Sequence, residues 1–261
     1  MIDQLQHPMA LLIETLLSRE GRRELGQILI DEEENILQAI SAKIKISQLI
    51  STEPENIPAS LKQALSPETQ ILGISLRTAK KLFGGEKVSR LFAIATQPEA
   101  LPCSYLSKVE GDFIVLEKLS ISGNIGAIIR SATAFKIGAM ILLDSDPVDI
   151  YDRRVIRASR GYVFHLPLLS LNTAEFIQFC QDQKIKILAM TSHSENRIET
   201  ILQKEPKLAI LLGAEKDGCS DLLFQSADLK AKISMDSKVE SLNVSVAAGI
   251  VSYLRNLNKE E

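Results

Sequence analysis

Three short segments carry residue types whose spacing could do chemistry. The first is GNIGAIIRSATAF, residues 123–135. Asn124 stands where a helix would begin, Gly126 permits close backbone approach, and Arg130 follows six residues after Asn124. By itself this reads as a helix with a capping Asn and a solvated Arg. The second is LAILLGAEKDGCS, residues 208–220, an apolar strand that ends at Gly213 and is followed by Glu215 and Gly218. Ligands of open α/β sheets lie beyond the carboxyl ends of strands, and the two glycines would let one rest against backbone; an ordinary strand-to-helix turn fits equally well. The third is ISMDSKVESLNVSVAAGIVSYL, residues 233–254, where Ser241, Asn243 and Ser245 form a polar run leading into an apolar helix. Polar groups at a buried helix start must be satisfied, either by each other or by a polar ligand.

Other chemistries lack their signatures. There is no P-loop, no dinucleotide fingerprint and no H-E-x-x-H. Of the three histidines, His7, His165 and His193, none sits in a nucleophile elbow, and His165 between Phe164 and Leu166 reads as structural. Cys103, Cys180 and Cys219 are far apart, which suggests neither a metal site nor a disulfide framework.

The elements that must position these residues fall into two parts. In residues 1–95, helical patterns such as DEEENILQAISA and SLRTAKKLFGG alternate with strand-like KISQLIST and LFAIAT, as in a small α/β sandwich. Residues 96–112 contain two prolines and few apolar clusters and read as a linker. In residues 113–261, apolar runs (DFIVLEKL, AMILLDSD, KIKILAMT, KLAILLGAE, DLKAKISM) alternate with helical stretches and a basic helix or turn, DRRVIRASRGYV. That rhythm implies a mostly parallel sheet covered on both faces.

The 261 residues are 45% hydrophobic and 24% charged, an ordinary globular composition. No apolar run approaches the ~18 residues of a membrane span, and no secretory leader pattern opens the chain, so a cytoplasmic protein with no membrane partner is expected. The formal net charge of −3 disfavours a nucleic-acid binder as a whole, but phosphate contacts need only a local basic patch.

The three segments, in this order and at these separations, resemble the signature motifs of the SpoU branch of the SPOUT RNA methyltransferases, and SLNVSVAAGI is nearly diagnostic. DSDPVDIYDRRVIRASRGYVFHLPL and KLFGGEKVSRLFAIA are similar to the thiostrepton- and nosiheptide-resistance methyltransferases of 23S ribosomal RNA. The resemblance covers residues 70–257 well and the first 70 weakly. Ser234 replaces a common Pro, and Asp217 and Cys219 replace small or apolar residues.

The resemblance implies an α/β fold, with a C-terminal parallel sheet closed by a trefoil knot and a smaller N-terminal ribosomal-protein-like (L30e-like) RNA-recognition domain. It implies a homodimer that transfers a methyl group from S-adenosylmethionine to a ribose 2′-hydroxyl of RNA. Arg130 would stand beside that hydroxyl. Asn124, Ser241 and Asn243 would orient Arg130 and the ribose, and Glu215 would set the cofactor loop. The cofactor would rest on Met190, Thr191, Gly213, Ile233, Met235 and Leu242, with Arg130, Glu215 and Asn243 near it and Arg160 approaching from a second subunit. Ala247, Ala248 and Gly249 would let the last helix pack closely on its mate. No metal is implied.

For RNA, Arg153, Arg154, Arg157 and Arg160 form one basic cluster, and Lys80, Lys81, Lys87 and Arg90 a second beside Phe83. A charge cluster is usually a solvated face; the resemblance turns both towards phosphate. The implied substrate is 23S rRNA, at the adenosine of the thiopeptide-binding region. Methylation of another rRNA site or of tRNA guanosine, or RNA binding without catalysis, stays open.

Overall fold

The computed structural model describes residues 1–84, 88–119, 121–144, 149–213, 219–236 and 238–260. Along the chain run α1 (Pro8–Leu17), α2 (Arg19–Leu25), β1 (Gln27–Asp31), α3 (Glu33–Ser41), β2 (Ile46–Ser51), α4 (Ala59–Ala64), β3 (Gln70–Gly73), α5 (Leu76–Leu82) and β4 (Leu91–Thr96). Then follow β5 (Phe113–Glu117), α6 (Ser122–Ala134), β6 (Ala139–Leu143), α7 (Arg153–Ala158), β7 (Leu168–Leu171), α8 (Thr173–Gln183), β8 (Lys186–Met190), α9 (Ile198–Leu202), β9 (Leu208–Leu212), α10 (Asp221–Ser226), β10 (Leu229–Ala231) and α11 (Val244–Glu260). No helix among the described residues is long and apolar enough to cross a membrane.

Two compact units result. One contains Met1–Glu99 together with Asp149–His165, and the other Ala100–Val148 with Leu166–Glu261. The first unit is a four-stranded sheet in the order β1-β4-β2-β3, antiparallel except for the β2–β3 pair. Its core places Ala10, Ile13 and Leu16 of α1 and Ala79 and Leu82 of α5 against Leu29, Ile50, Phe92 and Ile94 of the strands.

The segment Asp149–His165 joins this unit although it lies between β6 and β7 in sequence, and reciprocal ion pairs explain why. Arg22 donates to Asp149 at 2.7 Å and to Asp152 at 3.4 Å. In return, Arg153 donates to Asp31 at 2.8 Å, and Arg157 donates to the same carboxylate. Gly161 has φ +77°, and a Cβ there would stand 2.7 Å from the Gln38 side chain, so only glycine lets the chain lie this close to α3.

The second unit holds six strands, all parallel, in the order β10-β8-β9-β5-β6-β7. Phe113 pairs with Ala139 on one side and Ala209 on the other, which makes β5 fully flanked. All five residues of β5, β6 and β9 are buried, as expected of strands covered on both faces. Phe176, Phe179 and Cys180 of α8 and Leu223 of α10 cover one face, while α11 packs on α6, α9 and β9. The expected linker is partly structured: Thr96 ends β4, and Cys103–Lys108 form a 3-10 turn.

Candidate active site

Because every strand of the second sheet points the same way, Glu117, Leu143, Met190, Leu212 and Ala231 end at one edge. A cavity of about 660 Å³ opens there. Met190, Thr191, Gly213, Ile233, Met235 and Leu242 line it, six of the ten residues expected around the methyl donor; Arg130, Arg160 and Asn243 are not among the lining residues, and Glu215 lies outside the described ones. Ser241 lines it as well.

The sequence reading missed several wall residues: Ser192 and His193 after β8, Asp221 and Phe224 on α10, and Glu240 before α11. For Ser192 and His193 a signal existed, since they directly follow a strand whose carboxyl end borders the site. Asp221 and Phe224 needed the packing of α10, which periodicity does not specify. Cys219 also lines the cavity. Burial, aided by the charge of Glu117, pushes its thiol up to about 12.

Asn243 precedes α11 and caps it. Its Oδ1 accepts the Ser245 N–H at 2.9 Å and the Ser245 hydroxyl at 2.6 Å. Its Nδ2 donates to Asn124 Oδ1 at 3.4 Å. Segments 119 residues apart thus meet beside the cavity wall. Asn124 is not a helix cap as its position in the sequence suggested. Helix α6 begins at Ser122, and Asn124 lies in its first turn. Arg130 lies on the same helix, exposed, and no ion pair holds it among the described residues. Glu215 lies outside the described residues, as does Lys87.

Helix α11 packs on α6 of its own chain. Ala248 is fully buried, and a Cβ on Gly249 would meet Ser131 of α6 at 3.9 Å. The exposed apolar residues on this helix are Val246, Tyr253 and Leu257.

The arginine cluster divides in two. Arg153 is 6% exposed and its guanidinium lies 4.5 Å from the Phe83 ring centroid. Phe83 is itself buried, so neither of these side chains is on a solvated face. Arg153 and Arg157 are both directed to Asp31, whose carboxyl burial pushes up against the pull of the two arginines. Arg154 and Arg160 keep most of their surface, although Arg154 bonds to Asp152 at 2.9 Å and Arg160 stands 3.5 Å from Glu34. Lys80 and Lys81 are exposed on α5, and Arg90, also exposed, pairs with Glu53 at 3.3 Å.

The cavity fits the methyl donor. Its volume is within the ~300–1,000 Å³ of small-molecule sites. Leu212, Ile233 and Leu242 offer apolar surface, Thr191, Ser192 and Ser241 offer hydroxyls, and Asp221 and Glu240 match a cationic ligand.

Known proteins resemble the chain over its whole length. Residues 112–253 match the SpoU rRNA Methylase family, and residues 1–109 match the family described as thiostrepton-resistance methylase, N terminus. The 23S rRNA (adenosine(1067)-2′-O)-methyltransferase of Streptomyces azureus is 32% identical over 240 residues, which are 92% of this chain and 89% of that protein. The crystal structure of an RNA 2′-O ribose methyltransferase superposes with a TM-score of 0.84 at 26% identity, covering 100% of this chain and 99% of the other. The SpoU methyltransferase AviRb of Streptomyces viridochromogenes, in complex with AdoMet, shares the fold with a TM-score of 0.84 at 20% identity, covering 98% and 99%. With six expected residues around one cavity, and with both halves matched, the chain belongs to the SpoU rRNA methylase family and is an RNA methyltransferase.

Proposed function

We propose that the chain methylates the ribose 2′-hydroxyl of an adenosine in the thiopeptide-binding region of 23S rRNA, as the thiostrepton-resistance enzymes do. The observation that carries this reading is the cavity at the strand ends, walled by Met190, Thr191, Gly213, Ile233, Met235 and Leu242 next to the Asn124–Asn243 bond. S-adenosylmethionine is the cofactor and supplies the methyl group from its sulfonium centre.

The residues of the chain divide the remaining work. A ribose hydroxyl is a weak acid, so its developing negative charge needs stabilisation as it reacts. Arg130 provides a permanent cation for that charge or for the adjacent phosphate. It is not a good base, because a guanidinium with pKa above ~12 rarely gives up its proton. Asn124 and Asn243 hold each other and, with Ser241, orient the ribose. Glu215 belongs to the same reading as the residue that sets the cofactor loop. Arg154, Arg160, Lys80, Lys81, Lys87 and Arg90 are the cations we assign to RNA phosphates, with Arg160 serving the site of a second copy.

The reading includes a homodimer in the cytoplasm and a trefoil knot in the C-terminal unit. The apolar stripe Val246, Tyr253 and Leu257 on α11 supports the dimer, since exposed apolar patches of this kind mark association surfaces. Sedimentation should give twice the chain mass; a monomer at micromolar concentration would remove that part.

The test of function is direct. Purified protein, labelled S-adenosylmethionine and protein-free 23S rRNA should yield one 2′-O-methylated adenosine, located by primer extension. Label appearing only in tRNA, or at a guanosine, overturns the substrate assignment. No transfer to any RNA, despite cofactor binding, would leave a binding protein.

A further inference from the structure

The wall of the cavity formed by Cys219 and Asp221 is anchored by a carboxylate that the mechanism above does not use. Glu117 is the last residue of β5 and is 4% exposed. Its Oε2 accepts the Ser220 N–H at 2.7 Å. Ser220 is the residue between Cys219 and Asp221, both of which line the cavity. It is also the N-cap of α10, but its own side chain makes no capping hydrogen bond. The bond from Glu117 therefore attaches this stretch of chain to the sheet.

The attachment point is rigid for a physical reason. Strand β5 is flanked by β6 and β9 and all its residues are buried. A buried carboxylate costs several kcal/mol unless it is hydrogen-bonded, and an apolar residue would pack the same space without that cost. A charged acceptor on a backbone amide makes a shorter and stronger bond than a neutral one.

We propose that Glu117 is a positioning residue for the methyl donor: it fixes the Ser220 amide and, through it, the Cys219 and Asp221 side of the cavity. The inference rests on the assignment of this cavity to S-adenosylmethionine. Glu117 itself is absent from the residues that line the cavity, so its effect is on their placement.

Calorimetric titration with S-adenosylmethionine tests this, together with thermal unfolding with and without the cofactor. Glu117→Ala should weaken binding about tenfold, the worth of one hydrogen bond to a charged group. It should shrink the cofactor-induced rise in melting temperature, and raise KM for the cofactor while kcat holds. Glu117→Gln keeps an acceptor and should recover most of the affinity. Where Glu117→Ala fails to fold, Ser220→Pro removes the same bond from the other side. The Ser220 φ of −59° already suits proline, and this variant should show the same loss.

Three results would overturn the proposal. One is a lower melting temperature in the variants with unchanged cofactor affinity, the mark of a purely structural carboxylate. The second is a Glu117→Gln loss as deep as that of Glu117→Ala, which would make charge and not the hydrogen bond responsible. The third is a Ser220→Pro variant that binds as tightly as the unaltered chain. If the unaltered chain itself fails to bind S-adenosylmethionine, the cavity assignment falls first and the inference with it.

Discussion

Arg130 and Asn243 show how differently two polar residues of the proposed site can be held. Asn243 is tied by its Oδ1 to Ser245 and by its Nδ2 to Asn124, so its orientation is set before any ligand arrives. Arg130 is exposed on α6 with no ion pair among the described residues, which leaves its guanidinium available to a phosphate or an incipient alkoxide. Arg130→Ala should therefore lower turnover by roughly 100-fold or more, the scale of losing one transition-state charge contact. Cofactor affinity should stay within about twofold, because Arg130 is not among the residues lining the cavity. Single-turnover kinetics and calorimetry on the same sample check both halves. A loss confined to cofactor binding would move Arg130 out of the chemical step.

At the level of elements, α7 is built around one buried carboxylate. Asp31 ends β1 and receives both Arg153 and Arg157, and Arg153 also covers the Phe83 ring. Removing one partner of such a cluster leaves uncompensated buried charge, so Asp31→Ala should cost ~3–5 kcal/mol in urea unfolding. A cost below ~1 kcal/mol would mean that the arginines find water instead. The neighbouring Asp152 gives a pH signature. Burial raises its carboxyl, but hydrogen bonds and charge from Arg154, with the charge of Arg22, bring it below its ordinary value. A carboxyl that is more acidic in the folded chain than in the unfolded one stabilises the fold above the unfolded pKa of about 3.9, and that contribution is lost as pH falls through this value towards the folded one. Asp152→Asn should thus flatten the decline of melting temperature below about pH 4, as followed by circular dichroism; an unchanged slope would assign the decline to other carboxylates.

For the molecule as a whole, a buried ion pair and the candidate cavity lie at opposite edges of the parallel sheet. At the edge where the strands begin, the guanidinium of Arg255 on α11 bonds to Asp112 at 2.7 Å and 3.0 Å and to the carbonyls of Leu202 and Glu205. Asp112 also accepts the Leu208 N–H at 2.8 Å. One buried ion pair thus joins the starts of β5 and β9, the end of α9 and the last helix. Arg255→Ala should lower unfolding stability by ~3–5 kcal/mol. The folded fraction should still bind S-adenosylmethionine with little change, since the cavity is at the other end of the strands. Saturating cofactor, at about 100 times its Kd, should then restore ~2.7 kcal/mol and raise the melting temperature of the variant.

Much of this was legible in the amino-acid order. The central strands β5, β6 and β9 of the second unit are buried on both faces, so they appear as apolar runs in the sequence. The edge strand β3, QILG, escaped notice because four residues with a polar start carry no period. The six cavity residues could be named because the resemblance to a known family implied them; strand ends alone indicated only where a ligand could lie. Nothing local announced that the acidic stretch DEEE, from the end of β1 into α3, would face Arg153, Arg157 and Arg160, more than a hundred residues away, since ion pairing leaves no periodic trace. The sequence by itself determined most strand and helix types, because burial and backbone preference act locally, while its candidate site residues were named through the resemblance of three motifs to a known family. Only the tertiary structure decided which arginines remain exposed, which residues close the cavity and where Glu117 finds its amide. Those outcomes depend on strand order and long-range packing, which no window of sequence contains.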